Sequence, residues 1–279
     1  MSLHPSQHPS EPQAGAELVV DGLTIRFGGL TAVEGLSFVV RTGEVLSLIG
    51  PNGAGKTSAF NAITGYIASD GGTITYRGAR IDGLRPNEIA QRGVVRTFQK
   101  TSVFMGQSVL DNVLLGLHLA SKQTPLAIML GLPWVAREEK ALAGEARRIL
   151  AFVELDARAA DLASALPYGE LRLLEVAIAL AAKPKLLLLD EPVSGMNPAE
   201  TASFMRLLAS IRALGITILL VEHDMRMVME VSDRIVVLNY GRLIAEGPPD
   251  AIRSDPTVIE AYLGKGTAAR EAGRAAIDA

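Results

Sequence analysis

Val45-Leu46-Ser47-Leu48-Ile49-Gly50-Pro51-Asn52-Gly53-Ala54-Gly55-Lys56-Thr57-Ser58 is the stretch on which the reading of this chain turns. Val45 to Ile49 is an apolar run of the kind that forms a strand buried on both faces. Gly50 to Thr57 matches G-x-x-x-x-G-K-[ST] in full, and Lys56 to Thr64 is expected as the helix that follows. The spacing has a physical reason. Glycines let successive backbone N–H groups point inward at phosphate oxygens, and the helix N-terminus adds its dipole. Lys56 then reaches the outer phosphates, and the Thr57 hydroxyl is placed to ligate Mg²⁺. Gly50, Pro51, Asn52, Gly53, Ala54, Gly55, Lys56, Thr57 and Ser58 are therefore the candidate nucleotide-binding residues. A Gly-rich turn that happens to precede Lys-Thr would not require this context of buried strand, loop and helix.

A second apolar run, Leu186 to Leu189, leads into Asp190 and Glu191. A strand here puts Asp190 at its carboxyl end, where ligands of open α/β sheets bind. Asp190 is expected to hold Mg²⁺ through water, and Glu191 is the candidate base for an attacking water. His223 ends a further core strand, Ile216 to Glu222, within reach of a γ-phosphate, whereas His4, His8 and His118 read as solvated or packed. Gln99 ends the strand Val94 to Phe98 in a similar place. Phe27 is read either as a platform stacking on adenine or as an ordinary core aromatic.

Outward from these segments, strands and helices alternate. Leu18 to Phe27 and Ala32 to Val40 alternate apolar and polar residues around Gly28-Gly29, which predicts two antiparallel strands. A strand at Thr73 to Tyr76, a helix at Asn87 to Gln91 and the strand Val94 to Phe98 follow. Residues 101–183 read as a helical block. Ser108 caps a helix over Val109 to Ala120, a second helix runs from Glu138 to Val153, and a third opens near Gly169. The alternation then resumes with helices at Ala199 to Leu214 and Arg226 to Val231. Strands at Thr217 to Glu222, Arg234 to Asn239 and Leu243 to Ala245 complete it. Such alternation predicts a parallel sheet with right-handed crossovers. Residues 1–16 and 265–279 read as flexible tails.

The composition excludes several classes. The chain has 279 residues, 48% of them hydrophobic, and a net charge of -3, so it can bury a core and carries no field for tracking nucleic acid. It has no cysteine, which excludes a disulfide framework, a cysteine zinc site and a thiol nucleophile. The N-terminal residues do not read as a secretory signal, and no apolar run is long enough to be expected to cross a bilayer. Mean hydropathy is nevertheless +0.26. That surplus is expected to be partly the buried sheet and partly exposed surface on residues 101–135, including Phe104, Met105 and Trp134.

With these residues in this order, the chain resembles the ATP-binding subunits of ABC transporters over residues 17–264. The resemblance implies an α/β P-loop NTPase of the ABC ATPase type, with a parallel core sheet, an antiparallel β subdomain and an inserted helical subdomain. Its core would be 17–100 and 184–264, and its helical part 101–183. It makes Gly50 to Thr57 the Walker A loop, Leu186 to Asp190 Walker B, Glu191 the catalytic glutamate, Ser194 to Asn197 the D-loop and His223 the switch histidine. Gln99 becomes the Q-loop glutamine, placed with Thr57 and Asp190 around Mg²⁺. RFGGLTAVEGLSF, GVVRTFQ, EPVSGMNP, LLVEHDM and VSDRIVVLNYGRLIAEG look like the branched-chain amino-acid importer ATPases. The stretch Leu119 to Arg137 resembles the longer of that system's two types. ATP hydrolysis would then power uptake through two membrane permeases, fed by an external solute-binding protein, with this chain peripheral on the cytoplasmic side of the membrane. Urea and amide importers of the same class look alike.

One motif departs from the family. The usual L-S-G-G-Q reads Leu166-Pro167-Tyr168-Gly169-Glu170, so no serine donates to a γ-phosphate and Glu170 adds a negative charge. Leu173 and Ile178 stand where the family usually carries arginine. By resemblance, each ATP lies between one chain's Walker A and its partner's signature, here Pro167, Tyr168, Gly169 and Glu170. An intact Walker side beside a weakened signature points to a heterodimer with a second, different ATPase, with the homodimer as alternative. Two other classes compete. A DNA-repair ATPase would carry a long coiled coil between Lys56 and Asp190, where no heptad is sustained, and a translation ATPase usually carries two cassettes. A non-hydrolysing regulatory module fits the altered signature and conflicts with the intact Glu191 and His223.

Overall fold

The computed structural model describes residues 15–97, 103–120 and 133–263. Two sheets organise it. Strands β1 (Ala16–Phe27), β2 (Leu30–Arg41), β4 (Gly71–Tyr76) and β5 (Ala79–Arg80) form an antiparallel sheet in the order β2-β1-β4-β5. The second sheet contains β3 (Val45–Ile49), β6 (Val94–Arg96), β7 (Leu186–Asp190), β8 (Thr217–Val221), β9 (Arg234–Asn239) and β10 (Arg242–Gly247). Its order is β10-β9-β3-β8-β7-β6. All its pairings are parallel except β9 with the edge strand β10.

The apolar runs explain the layering. Side chains alternate across a strand, so Leu186 and Leu188 of β7 enter one core and Leu187 and Leu189 the other. The first core holds the antiparallel sheet and α1 (Lys56–Ile63), and the second holds helices α3 (Val109–Ala120), α4 (Pro133–Phe152) and α5 (Tyr168–Ala181). With both faces covered, β3, β7 and β8 are buried along their whole length. Each fully buried leucine contributes about 1.5–3 kcal/mol relative to exposure. Glu17, a buried carboxylate on β1, joins the two sheets by accepting from Arg77 Nη2 at 2.7 Å and from the Thr217 hydroxyl of β8.

The local readings hold in most places. Ser108 caps α3 as expected, its hydroxyl accepting the Asp111 N–H at 3.0 Å. Helix α4 begins at Pro133 rather than Glu138, because proline fits the first helical turn, where an N–H has no partner. β4 starts at Gly71 rather than Thr73, and the two-residue β5 was not foreseen. The chain also continues past β10 into α8 (Pro249–Ser254) and α9 (Pro256–Leu263), beyond the last element expected. Between the long strands lie α2 (Pro86–Gln91), α6 (Pro198–Ala213) and α7 (Met225–Val231). Gln99, residues 1–14, 121–132 and 264–279, and the side chains of His118 and Trp134, lie outside the described residues.

Candidate nucleotide-binding and hydrolysis site

The loop between β3 and α1 is held in a shape that two of its glycines make possible. Gly50 has φ +153°, and a Cβ there would lie 2.1 Å from the Leu238 carbonyl oxygen of β9. Gly55 has φ +101°, and its Cβ would lie 2.5 Å from the Ala32 carbonyl oxygen. The loop is pinned to the β9–β10 turn by the Gly241 N–H, which donates to the Ala54 carbonyl at 3.0 Å. Helix α1 opens at Lys56 with no acidic residue in its first turn, so its N-terminal amides and dipole are free to meet an anion. The Lys56 ammonium donates to the Gly50 carbonyl at 2.6 Å and the Pro51 carbonyl at 3.1 Å. Burial pushes its pKa down, and the negative charges of Glu191 and Asp190 pull it back up. Loop, lysine and both carboxylates therefore share one electrostatic site. Thr57 is exposed and Ser58 half-buried.

Asp190 ends β7 as a buried carboxylate. Its Oδ2 accepts from Arg96 Nη2 at 2.6 Å, while Oδ1 is buried without a hydrogen-bond partner. A buried oxygen left open in this way suits a site that takes a hydrated cation, so the residues present fit Mg²⁺. Arg96, on β6, was missed by the sequence reading. Its other arm donates to Asn61 Oδ1 of α1 at 2.6 Å, and its guanidinium lies 5.6 Å from the Phe60 ring centre. It thus joins the phosphate-loop helix to the Asp190 strand. Arg96→Leu leaves the Asp190 charge buried without its hydrogen-bonded cation and is expected to destabilise the fold by about 3–5 kcal/mol. Urea unfolding checks this, and a loss below about 1 kcal/mol contradicts it.

Glu191 follows in the left-handed region, φ +48°, with its N–H donating to the Val221 carbonyl of β8 at 2.8 Å. This tight turn carries the side chain out of the strand, where it is 36% exposed. His223 Nδ1 lies 3.9 Å from Glu191 Oε1, and its ring is 55% exposed. Between them sits Glu222, fully buried and also missed from the sequence. Its Oε1 accepts the Val193 N–H at 3.0 Å, and Oε2 accepts the His223 N–H at 2.9 Å. The available signal was the charge itself: Glu222 and Arg96 both sit at the ends of apolar strands, where a charge requires a partner.

The altered motif forms a second cluster. Pro167 caps α5, and Tyr168, Gly169 and Glu170 form its first turn. Gly169 packs on the start of α6, where an added Cβ would lie 2.7 Å from Glu200 Oε1. Tyr168 lies against Gly195, whose added Cβ would be 3.0 Å from the ring. Asn197 caps α6, accepting from the Ala199 and Glu200 N–H groups. The signature segment and the Ser194 to Asn197 loop are thus packed together. The Glu170 charge is not bare, because Arg158 Nε lies 3.3 Å from its Oε2. Tyr168 is held by Arg172, whose guanidinium lies 4.9 Å from the ring centre. Phe27 is 49% exposed at the end of β1 beside Leu30, so its core alternative is not adopted.

The comparisons agree with this geometry. The sequence profile of the ABC transporter family matches residues 33–194, and that of the branched-chain amino acid ATP-binding cassette transporters matches residues 242–268. The chain is 44% identical over 249 residues to the high-affinity branched-chain amino acid transport ATP-binding protein BraF of Pseudomonas aeruginosa, covering 89% of this chain and 98% of that protein. It is 45% identical over 249 residues to LivG of Salmonella typhimurium, of the same description, with the same coverage. Among solved structures, a nucleotide-free ATP-binding cassette from an ABC transporter superposes with a TM-score of 0.79 at 32% identity. It covers 90% of this chain and 100% of that one. An ATP-binding cassette of an ABC transporter in its ADP conformation superposes equally well, covering 90% of this chain and 99% of that one.

Proposed function

This chain belongs to the ABC transporter family of ATP-binding proteins, and from that premise we propose that it binds and hydrolyses ATP to power the uptake of branched-chain amino acids. The observation that carries the reading is the gathering of Lys56, Asp190, Glu191 and His223 at the carboxyl ends of adjacent parallel strands. The N–H groups of Gly53, Gly55, Lys56 and Thr57 and the α1 dipole hold the β- and γ-phosphates, while the Ala54 N–H closes the loop on the Pro51 carbonyl at 3.1 Å. Lys56 exchanges its two loop carbonyls for phosphate oxygens. Glu191 takes the proton of the attacking water, and His223 hydrogen-bonds the γ-phosphate side. Thr57 and Asp190, with Gln99 by resemblance, would hold Mg²⁺, which would supply neutralisation of charge developing on the phosphate oxygens.

Glu191 and His223 both stand at an open surface, so a second face is needed to exclude water during hydrolysis. A second ATPase subunit supplies that face. Because Pro167 offers neither a hydroxyl nor an N–H where the family's serine stands, this chain's signature is weakened, the partner is a different chain with an intact one, and the two sites are unequal. The permease contact is the exposed apolar patch of Phe104, 57% accessible, and Met105, 49% accessible. Leu162 adjoins it, since the Ser164 N–H donates to the Met105 carbonyl at 3.2 Å. A patch of this kind marks an interaction surface. Docked through this patch, the chain lies peripherally on the cytoplasmic face of the membrane, with a solute-binding protein acting from the other side.

ATP turnover of the lone chain and of its assembly with the permease pair and a second ATPase tests this. The assembly is expected to turn over about 10-fold faster, and Phe104→Glu with Met105→Glu to release the chain from permease-bearing membranes. If the lone chain matches the assembly, the unequal-site reading fails. If the double variant stays bound, the patch is not the contact.

A further inference from the structure

The feature that the reading above leaves unused is Glu222. It follows β8 as a fully buried carboxylate, and among the described residues no cation lies within 3 Å of it, the His223 Nδ1 standing 3.8 Å from its Oε2. Its oxygens are occupied by backbone amides instead. Oε1 accepts the Val193 N–H at 3.0 Å, and Oε2 accepts the His223 N–H at 2.9 Å and the Asp224 N–H at 3.4 Å. Val193 belongs to the turn that begins at Glu191, and Asp224 caps α7 by accepting the Met227 N–H at 3.0 Å. One carboxylate therefore clamps the loop carrying Glu191 to the loop carrying His223. A second tie runs beside it, from the Glu191 N–H to the Val221 carbonyl at 2.8 Å.

Burying a carboxylate is costly unless its oxygens are satisfied. An apolar residue would fill this space without that cost, but it would leave the Val193 and His223 amides without partners. The charge is placed where it orders two loops at once, and both loops lead directly to groups assigned to hydrolysis. The Glu222 side chain is fully buried, whereas Glu191 and His223 are exposed. It acts behind them and not on the nucleotide.

We propose that Glu222 is a positioning residue that sets the spacing of Glu191 and His223 by bonding the backbone of both loops. The proposal rests on the ATPase reading above. Glu222→Gln keeps one acceptor oxygen but turns an NH₂ group toward amide donors, so one of the two loops is released. In the full chain assembled with its partners, kcat is expected to fall about 10- to 100-fold, the scale of a displacement of about 1 Å at a reacting group. KM for ATP and the dissociation constant of a fluorescent ATP analogue should change less than about twofold, because Gly50 to Thr57 are untouched. This split separates positioning from a general loss of structure, which would weaken nucleotide binding as well. If Glu222→Gln fails to fold, Glu222→Asp keeps the charge but is one methylene too short to reach both loops, and the same split is expected of it. A kcat within twofold of wild type, or a rise in KM with kcat unchanged, overturns the proposal. A wild-type assembly that hydrolyses no ATP would instead overturn the ATPase reading.

Discussion

Glu191→Gln is expected to stop hydrolysis while leaving ATP bound. Turnover should fall by about 10²–10⁴-fold, the contribution of a positioned general base. The geometry makes the substitution clean. Glutamine is isosteric and can occupy the same left-handed turn, φ +48°, and the backbone bond from residue 191 to Val221 does not involve the side chain. Removing the negative charge also takes away one of the two carboxylates that raise the Lys56 pKa. Asp190 remains as the second of them. Nucleotide affinity is therefore expected to stay within a few-fold. Single-turnover hydrolysis and equilibrium binding of a fluorescent ATP analogue measure the two halves separately. Turnover above about one tenth of wild type would remove Glu191 from the role of base.

Gly50→Ala is expected to cost the site its nucleotide. The new Cβ would lie 2.1 Å from the Leu238 carbonyl oxygen and 3.0 Å from the Ala54 Cβ. Leu238 cannot yield easily, since its strand β9 is paired along β3, with Ile49 opposite Val237. The loop must move instead, and a shift of about 1 Å in phosphate-binding amides is expected to lower kcat/KM about 10²-fold. Gly53→Ala is the control. It shares a positive φ, +80°, but has nothing within 4 Å of an added Cβ, so only backbone strain of about 1–2 kcal/mol applies. Equal losses at the two positions would show that strain, not the collision with β9, dominates.

The contrast between these glycines shows what a sequence conveys. The sequence shows a glycine at 50 and at 53 within one loop, but only the fold brings a carbonyl from β9 against the first. The parallel sheet was legible because β3, β7 and β8 are apolar along their length, and burial on both faces leaves that mark in local sequence. The nucleotide loop was legible because its chemistry lies within eight consecutive residues. Helices α8 and α9 were missed because each is a single short segment of six or eight residues, too brief for a periodic signal. Arg96 and Glu222 were missed for a different reason. Their partners lie 94 residues away at Asp190 and 29 residues away at Val193, a pairing that no local spacing encodes. The signature segment was read as electrostatically spoiled by Glu170, and the fold supplies Arg158 beside it from another turn.

The near-neutral chain also binds a polyanion without a basic surface. The positive field comes from the α1 N-terminus and Lys56, with Mg²⁺ added when bound. Net charge, -3, does not govern this site. Part of the apolar surplus is the two-faced sheet, and Phe104 and Met105 are exposed, but so are Leu30, Leu214 and Tyr240 outside the helical block, and the Trp134 side chain lies outside the described residues.

Solute uptake in proteoliposomes tests the central claim most directly. Vesicles would carry the permease pair, with this chain, the second ATPase and ATP on one side, and the solute-binding protein with labelled leucine on the other. ATP-dependent accumulation of leucine that is lost with Glu191→Gln is the predicted result. No ATP-dependent accumulation of any branched-chain amino acid, or accumulation that survives Glu191→Gln, would contradict the account.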